Sequence, residues 1–450
     1  MRILSTIGPI SESIHSIKKI NKYSEVFRLN GSHNNLNWHK KIIVKIKSLS
    51  ENNKILLDIP GVKPRTNNHC DVVIDKGDIV CFYYKKNLFS SKIKNIPLSH
   101  PLPAKSKLIP RYFSISDGLY LFKIINYNKD SITGVSQQNF TLKSKKGLNI
   151  PKSVYDDKRQ ISLSLKFLKK ISNLKIDAVG LSFVQSEKII EIVKKKYPNL
   201  LIIAKIENSL GLNNVSNIII KADAIMIDRG DLSAEIGEEN LFNAVKEISK
   251  QCIFHGRPLI IATENLDSMI NNNASPSKSE IISLSFSNSI NADLVMLSDE
   301  TATSKNYIKI LKWLSIFLGK NIYNKLTKND LANKNLFIDL LKNIKLADLV
   351  LFTKKGYIVD NITRINKNLN LHVFSDNEQV VNKCSFRANV NAILTKRFPK
   401  KMENFIYKKI KNYKRKIFKN FNKVFLIYAN YPIKGSRANT LSILSRKNFI

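Results

Sequence analysis

The chain has 450 residues, more than one ordinary domain needs, so two or three domains with separate cores are expected. Lys and Arg outnumber Asp and Glu by 74 to 35, a formal charge of +39, but the basic residues are interleaved with Asn and Ile along the whole length rather than gathered in a tail. That pattern describes a solvated basic surface and argues against a dedicated nucleic-acid protein, leaving only non-specific polyanion binding as an expectation. Cys70, Cys81, Cys252 and Cys384 are scattered without a CxxC pair, so neither a zinc knuckle nor a disulfide framework is indicated. No apolar run reaches membrane-spanning length, and a cytoplasmic setting without membrane partners is expected.

Taken in chain order, short β-branched runs alternate with longer segments of helical period, the pattern of a parallel sheet wrapped by helices. Buried strands are predicted at Ile55 to Asp58, Asp177 to Phe183, Leu200 to Ile206, Ala222 to Ile227, Pro258 to Thr263 and Asp293 to Ser298, each ending in polar or charged residues. Between residues 66 and 149 the pattern changes to short strands broken by turns such as Asp75-Lys76-Gly77-Asp78 and Ser116-Asp117-Gly118, which predicts an inserted β domain. Beyond about residue 330 a further α/β segment is predicted, with strands near Leu349 to Phe352, Leu371 to Phe374 and Val424 to Tyr428. The densest basic run, Lys396 to Lys423, carries Glu403 as its one acid and reads as a polar helix face. The expected division is 1–65 and 150–330 for the main α/β body, 66–149 for the insertion and 331–450 for the terminal domain.

Polar clusters fall at the strand ends: Arg28-Leu29-Asn30-Gly31-Ser32-His33, Asp58, Lys205-Ile206-Glu207-Asn208, Arg229-Gly230-Asp231-Leu232, Ala262-Thr263-Glu264 and Ser298-Asp299-Glu300-Thr301-Ala302. Glu207 and Asp231 end consecutive predicted strands and offer two hard carboxylate oxygens to one Mg2+ or Mn2+. Lys205 lies two positions before Glu207, so a regular strand points both into the same mouth. A Lys and a Glu closing an otherwise apolar strand break the rule that core strands stay apolar, and such breaks mark functional sites.

In this order the clusters resemble the pyruvate kinase family over nearly the whole chain. Ser5-Thr6-Ile7-Gly8-Pro9 is similar to its first-strand signature, and Arg28 to His33 to its R-L-N-x-S-H. Leu57-Asp58-Ile59-Pro60-Gly61 through Arg65-Thr66, and Lys146-Gly147-Leu148-Asn149-Ile150-Pro151, resemble the segments entering and leaving the family's small domain. Ile206-Glu207-Asn208, Met226 to Leu232, Ala262 to Met269 and Met296 to Ala302 follow in family order. Leu351-Phe352-Thr353-Lys354-Lys355-Gly356 and Gly435-Ser436-Arg437-Ala438-Asn439-Thr440 resemble motifs of its C-terminal domain.

The resemblance implies a (β/α)8 TIM barrel with an inserted small β-barrel domain and a C-terminal α/β domain, usually assembled as a homotetramer. It implies phosphoryl transfer from phosphoenolpyruvate to ADP in glycolysis, giving pyruvate and ATP. Glu207 and Asp231 would hold the divalent ion, and Arg28 and Lys205 would neutralise the migrating phosphoryl oxygens, Lys205 also facing the enolate. Gly230 and Asp231 would grip the substrate carboxylate through their amides. Thr263, with Ser298 and Glu300, would lie on the proton path to pyruvate. Arg65, His33, Lys146 and Asn30 are the nucleotide candidates. Asn30, Ser32 and Asp58 correspond to ligands of a monovalent cation, and Lys63 fills a position that is commonly acidic. Its ammonium can replace potassium, so activity without added K+ is expected.

Glu264, Asp299 and Gly31 depart from the family's customary glutamine, glycine and aromatic, and Ser277-Lys278-Ser279-Glu280 from T-R-A-E. The added acid is expected to weaken phosphate binding, and the Thr353 to Gly356 loop lacks the hydroxyl-rich stretch that holds an effector phosphate. The rival reading is a weakened paralogue acting as a basic binding or scaffold protein.

Overall fold

Eight short apolar strands close into a parallel barrel: β1 (Arg2–Thr6), β2 (Val26–Asn30), β3 (Lys54–Ile59), β4 (Ala178–Leu181), β5 (Leu201–Ile206), β6 (Ala224–Asp228), β7 (Leu259–Ala262) and β8 (Leu294–Leu297). Each pairs with its sequence neighbours, and β8 closes onto β1 with Ser5 opposite Leu297. The computed structural model describes the chain except residues 86–92, 105–109, 272–274, 321–340, 342–343, 345, 400–401, 429–439 and 450. The expected TIM barrel is therefore present.

Side chains alternate across each strand, and in a barrel that alternation separates inside from outside. Ile3, Phe27, Leu29, Ile55, Leu57, Val179, Ile202, Ala204, Ile225, Ile261 and Val295 belong to the large core between strands and helices. Leu4, Val26, Leu56, Ala178, Ile203, Met226, Ile260, Leu294 and Met296 fill the interior. Phe386 joins that inner cluster, while Arg2 at the start of β1 bonds the Ser385 carbonyl at 3.2 Å, so the N-terminal end of the barrel is plugged by the C-terminal region. Two residues beyond Leu4, Val26, Leu56, Ala178, Ile203 and Met226 stand Thr6, Arg28, Asp58, Gly180, Lys205 and Asp228. The top inward layer is polar where the layers below are apolar, and barrel enzymes keep their chemistry at this end.

The strand expected over Asp177 to Phe183 is shorter, Ala178–Leu181. Phe183 turns to φ +53 and donates its amide to Glu207 at 2.6 Å, which takes the chain out of the sheet. The Ser277-Lys278-Ser279-Glu280 stretch has a local role: Ser277 caps the helix Lys278–Ser289, and Glu280 returns a bond to the cap amide.

Between β3 and β4 a separate six-stranded sheet runs in the order Leu148–Asn149, Tyr112–Ile115, Tyr120–Tyr127, Ser131–Ser136, Ile79–Tyr83, Lys94–Pro97, antiparallel except for its last pair. Its core stacks Phe113 on Phe122 and sets Phe82 edge-on to both. The Ser116-Asp117-Gly118 turn has positive φ at all three residues, 58°, 54° and 98°, which reverses the chain tightly and carries Asp117 toward the barrel mouth.

The last sheet has the order Val390–Leu394, Asn370–Ser375, Asp348–Phe352, Lys423–Tyr428, Thr440–Ser445, with only the final strand antiparallel. It docks on the barrel through Arg387, 2% exposed, which bonds the Gly256 carbonyl, Thr363 and Asp360, and through Lys367 to Asp293 at 3.0 Å. Within the basic run, the helix Glu403–Ile417 buries Ile406, Ile410 and Ile417, so its lysines cover the outward face. The Gly435 to Asn439 part of the C-terminal motif lies outside the described residues.

Candidate active site

Lys205 is the centre of the polar layer. Its ammonium lies 2.6 Å from Glu207 Oε1, 3.5 Å from Asp228 Oδ2 and 3.6 Å from Asp58 Oδ2, with 6% of the side chain exposed. Burial works against its charge, but the three carboxylates outweigh burial and hold the amine protonated well above its ordinary range.

Arg28 completes the group from β2. Its Nε and Nη2 both reach Asp58 Oδ2 at 2.8 Å, and Nη1 bonds Thr6 Oγ1 at 3.2 Å. Burial would raise the Asp58 pKa, yet Lys205 and Arg28 together hold it below the usual range. Gly180 makes room for this carboxylate. It pairs with Asp58 across the β3–β4 register, and a Cβ there would stand 2.0 Å from Asp58 Oδ1.

Glu207, Asp228 and Asp231 converge, each with an oxygen within 4.8 Å of the others. Burial pushes the Glu207 carboxyl up to about 8; Lys205 pulls it back, and Asp228 and Asp231 push it further up. Asp228 is likewise raised by burial, against Lys205 and with Asp231. Asp231 behaves oppositely: burial is overcome by Lys63, whose ammonium bonds Asp231 Oδ1 directly. Five carboxylates (Asp58, Asp117, Glu207, Asp228, Asp231) thus share three cations (Arg28, Lys63, Lys205). Three converging hard carboxylate donors suit a small divalent cation, so the residues present fit the expected Mg2+ or Mn2+. Asp228 was not among the expected ligands, although its place two residues beyond Met226 on the inward face signals it.

Lys63 itself is 2% exposed. Besides Asp231 it pairs with Asp117 of the inserted sheet at 2.9 Å and lies 5.8 Å from the Phe183 ring centroid. Its ion pairs among the described residues are with Asp117 and Asp231, rather than with Asp58. Asn30 Oδ1 accepts the Ser32 amide at 3.0 Å, closing a small turn at the end of β2, and Ser32 is exposed.

The helix Arg229–Ile236 begins at this floor. The Gly230 amide donates to Thr263 Oγ1 at 3.2 Å, and Thr263 Oγ1 lies 3.2 Å from Asp228 Oδ1, so β6, β7 and the helix start are tied together. Ser298 and Glu300 follow β8. Glu300 is buried and accepts the Ser298 amide at 2.6 Å and the Leu266 amide at 3.2 Å, bracing the loops after β7 and β8; burial pushes its carboxyl up to about 7. Glu264 and Asp299 are exposed at the rim.

His33, Arg65 and Lys146 are also exposed. Partial burial lowers the His33 pKa, and Arg65, Lys145 and Arg28 lower it further, so several cations gather on this side of the mouth. Lys145, whose carbonyl accepts Arg65 Nη1 at 3.2 Å, escaped sequence reasoning because it carries no motif of its own.

The family model described as pyruvate kinase, barrel domain, matches residues 1–309. Among curated proteins, the pyruvate kinase of Thermococcus litoralis is 29% identical over 424 residues, 86% of this chain and 87% of its own length. That of Encephalitozoon cuniculi is 31% identical over 331 residues, 70% of this chain and 73% of its own. That of Thermotoga maritima is 30% identical over 325 residues, 70% and 69% of the two lengths.

Proposed function

The chain belongs to the pyruvate kinase family, and on that premise we propose that it transfers the phosphoryl group of phosphoenolpyruvate to ADP, giving pyruvate and ATP. The observation that carries this reading is the Lys205 ammonium held among Asp58, Glu207 and Asp228 beside the three-carboxylate cluster. Glu207, Asp228 and Asp231 would hold a divalent ion, which supplies charge neutralisation at the phosphoryl oxygens.

The chain's own residues do the rest. Phosphoryl transfer asks mainly for positioning and preset positive charge, and Arg28 and Lys205 provide both on a rigid barrel end. The bond between phosphorus and the enol oxygen breaks as a bond to the terminal ADP oxygen forms, leaving an enolate whose oxygen faces Lys205. The Gly230 and Asp231 amides at the helix start would hold the substrate carboxylate, the Gly230 amide exchanging its Thr263 Oγ1 acceptor for it. Thr263 then delivers a proton toward the enolate carbon through water, with Ser298 alongside and Glu300 fixing both loops. Arg65, His33, Lys146 and Asn30 would line the nucleotide side, and Lys63, whose ammonium here pairs with Asp117 and Asp231 rather than with Asp58, would stand in for a bound potassium ion.

We read residues 1–65 and 150–330 as the barrel domain, 66–149 as the inserted domain and 331–450 as the terminal domain. Likeness to the family supports a homotetramer, which light scattering on the purified chain tests, and a cytoplasmic setting. No helix among the described residues is long and apolar enough to cross a membrane.

Pyruvate release from phosphoenolpyruvate and ADP with Mg2+, followed by NMR, tests the function. Lys205→Met is expected to cut turnover by about 10³-fold, the scale of removing a group aimed at developing charge. A fully active Lys205→Met protein would end this assignment.

A further inference from the structure

Arg229 is 9% exposed, yet its guanidinium faces no carboxylate within ion-pair distance among the described residues. It is instead spent on one turn. Nε reaches the Ala262 carbonyl at 3.4 Å; Nη2 bonds the Thr263 carbonyl, the Glu264 carbonyl at 2.8 Å and Asn265 Oδ1 at 3.1 Å; Nη1 bonds Ser283 Oγ. Asn265 is tied in turn to the Met296 carbonyl on β8 at 2.8 Å.

Three successive carbonyls converge on one cation only if the backbone bends back on itself. Thr263 and Glu264 do so, at φ +62 and φ +51. For a β-branched residue this is a sparsely populated conformation that persists only where surrounding contacts dictate it. The bend sets the Thr263 hydroxyl 3.2 Å from both the Gly230 amide and Asp228 Oδ1. Arg229 is also the first residue of the helix that presents the Gly230 amide, but its guanidinium contacts the turn and Ser283 rather than that amide. The hydroxyl has one proton, and the Ala262 carbonyl, 2.7 Å away, competes for it. Arg229 Nε approaches that same carbonyl and weakens the competition.

We propose that Arg229 is a positioning residue for Thr263, holding the Ala262–Asn265 turn in the bent form that aims the hydroxyl into the mouth. This rests on the kinase reading and adds to it a residue that acts on the proton step through another. A lysine cannot substitute, because a single ammonium on a flexible stem does not reproduce a planar fork serving three carbonyls and an amide.

The test is deuterium incorporation into the methyl group of pyruvate, read by NMR in heavy water with Mg2+ and ATP present. It compares the wild-type chain, Arg229→Lys, Thr263→Ala and the double variant, alongside the phosphoenolpyruvate KM and thermal unfolding of each. Arg229→Lys is expected to slow deuteration by about tenfold or more, the scale of misplacing a reacting group, while KM stays nearly constant. In the Thr263→Ala background the same substitution should change the rate by less than about twofold, since a group acting through Thr263 has nothing left to act on. Equal fold-losses in both backgrounds, or a lowered unfolding temperature with unchanged deuteration, would overturn the proposal. Wild-type protein that neither deuterates pyruvate nor releases it from phosphoenolpyruvate would overturn the kinase reading itself, and this inference with it.

Discussion

Replacing Gly180 by Ala is expected to break the Arg28–Asp58–Lys205 group without touching any charged residue. A Cβ on Gly180 would lie 2.0 Å from Asp58 Oδ1 and 3.2 Å from its Cγ, so the carboxylate has to move by about 1.5 Å to reach ordinary contact. Asp58 Oδ2 holds Arg28 Nε and Nη2, both at 2.8 Å, and a displacement of that size takes these bonds out of range. Breaking a buried pair costs roughly 3–5 kcal/mol, because uncompensated charge stays behind. Urea unfolding of the wild type and Gly180→Ala measures the loss. Adding Asp58→Asn removes the negative charge from the crowded group, so Gly180→Ala should cost less there than in the wild-type background. A loss below about 1 kcal/mol in the wild-type background, within the range of an ordinary surface substitution, would refute the reasoning.

Glu235, one helical turn beyond Asp231 on the same helix, provides a pH test. It is 1% exposed, accepts hydrogen bonds from Ser153 Oγ at 3.0 Å and Tyr155 Oη at 3.4 Å, and among the described residues its Oε2 has no partner. Burial pushes its carboxyl up to about 8 against the Ser153 hydrogen bond and Lys63, with the Asp231 charge adding to the rise. The folded state therefore keeps a proton that the unfolded state has released. This contribution to stability is full below the unfolded carboxyl range and is lost as pH rises to about 8, at about 1.4 kcal/mol per unit. Glu235→Gln should remove that slope between pH 6 and 8 in urea titrations, and a variant that keeps it would contradict the burial argument. For potassium, turnover in tetramethylammonium buffer is expected to equal that in potassium buffer, and Lys63→Glu should introduce a potassium requirement. A wild-type enzyme silent without potassium would exclude the role given to Lys63.

The barrel was legible because its strands are buried on both faces and read as continuous β-branched runs between helical segments. The strand ends at Ile206 and Asp58 were anticipated to within a residue, whereas Phe183 looked like strand and is not, since its turn depends on a bond to Glu207 that local sequence does not encode. The strand Val390–Leu394 escaped notice because Asn391 interrupts its apolar run and half its side chains face outward. Lys205 and Glu207 were visible as charges breaking an apolar strand. Asp228 was passed over because it stands beside Arg229 and Asp231, although the two-residue period singles it out. The partners of Lys63 were not legible, because Asp117 lies 54 residues away in a different sheet and only the folded chain brings the two together.

Binding of Mn2+ to the metal-free chain, followed by the loss of the free-ion paramagnetic signal, tests most directly whether the three carboxylates form one cation site. The expected result is one tight site per chain in the wild type, weakened at least tenfold by each of Glu207→Gln, Asp228→Asn and Asp231→Asn, consistent with each removing a charged ligand. Tight binding that survives all three substitutions would contradict the site on which this account stands.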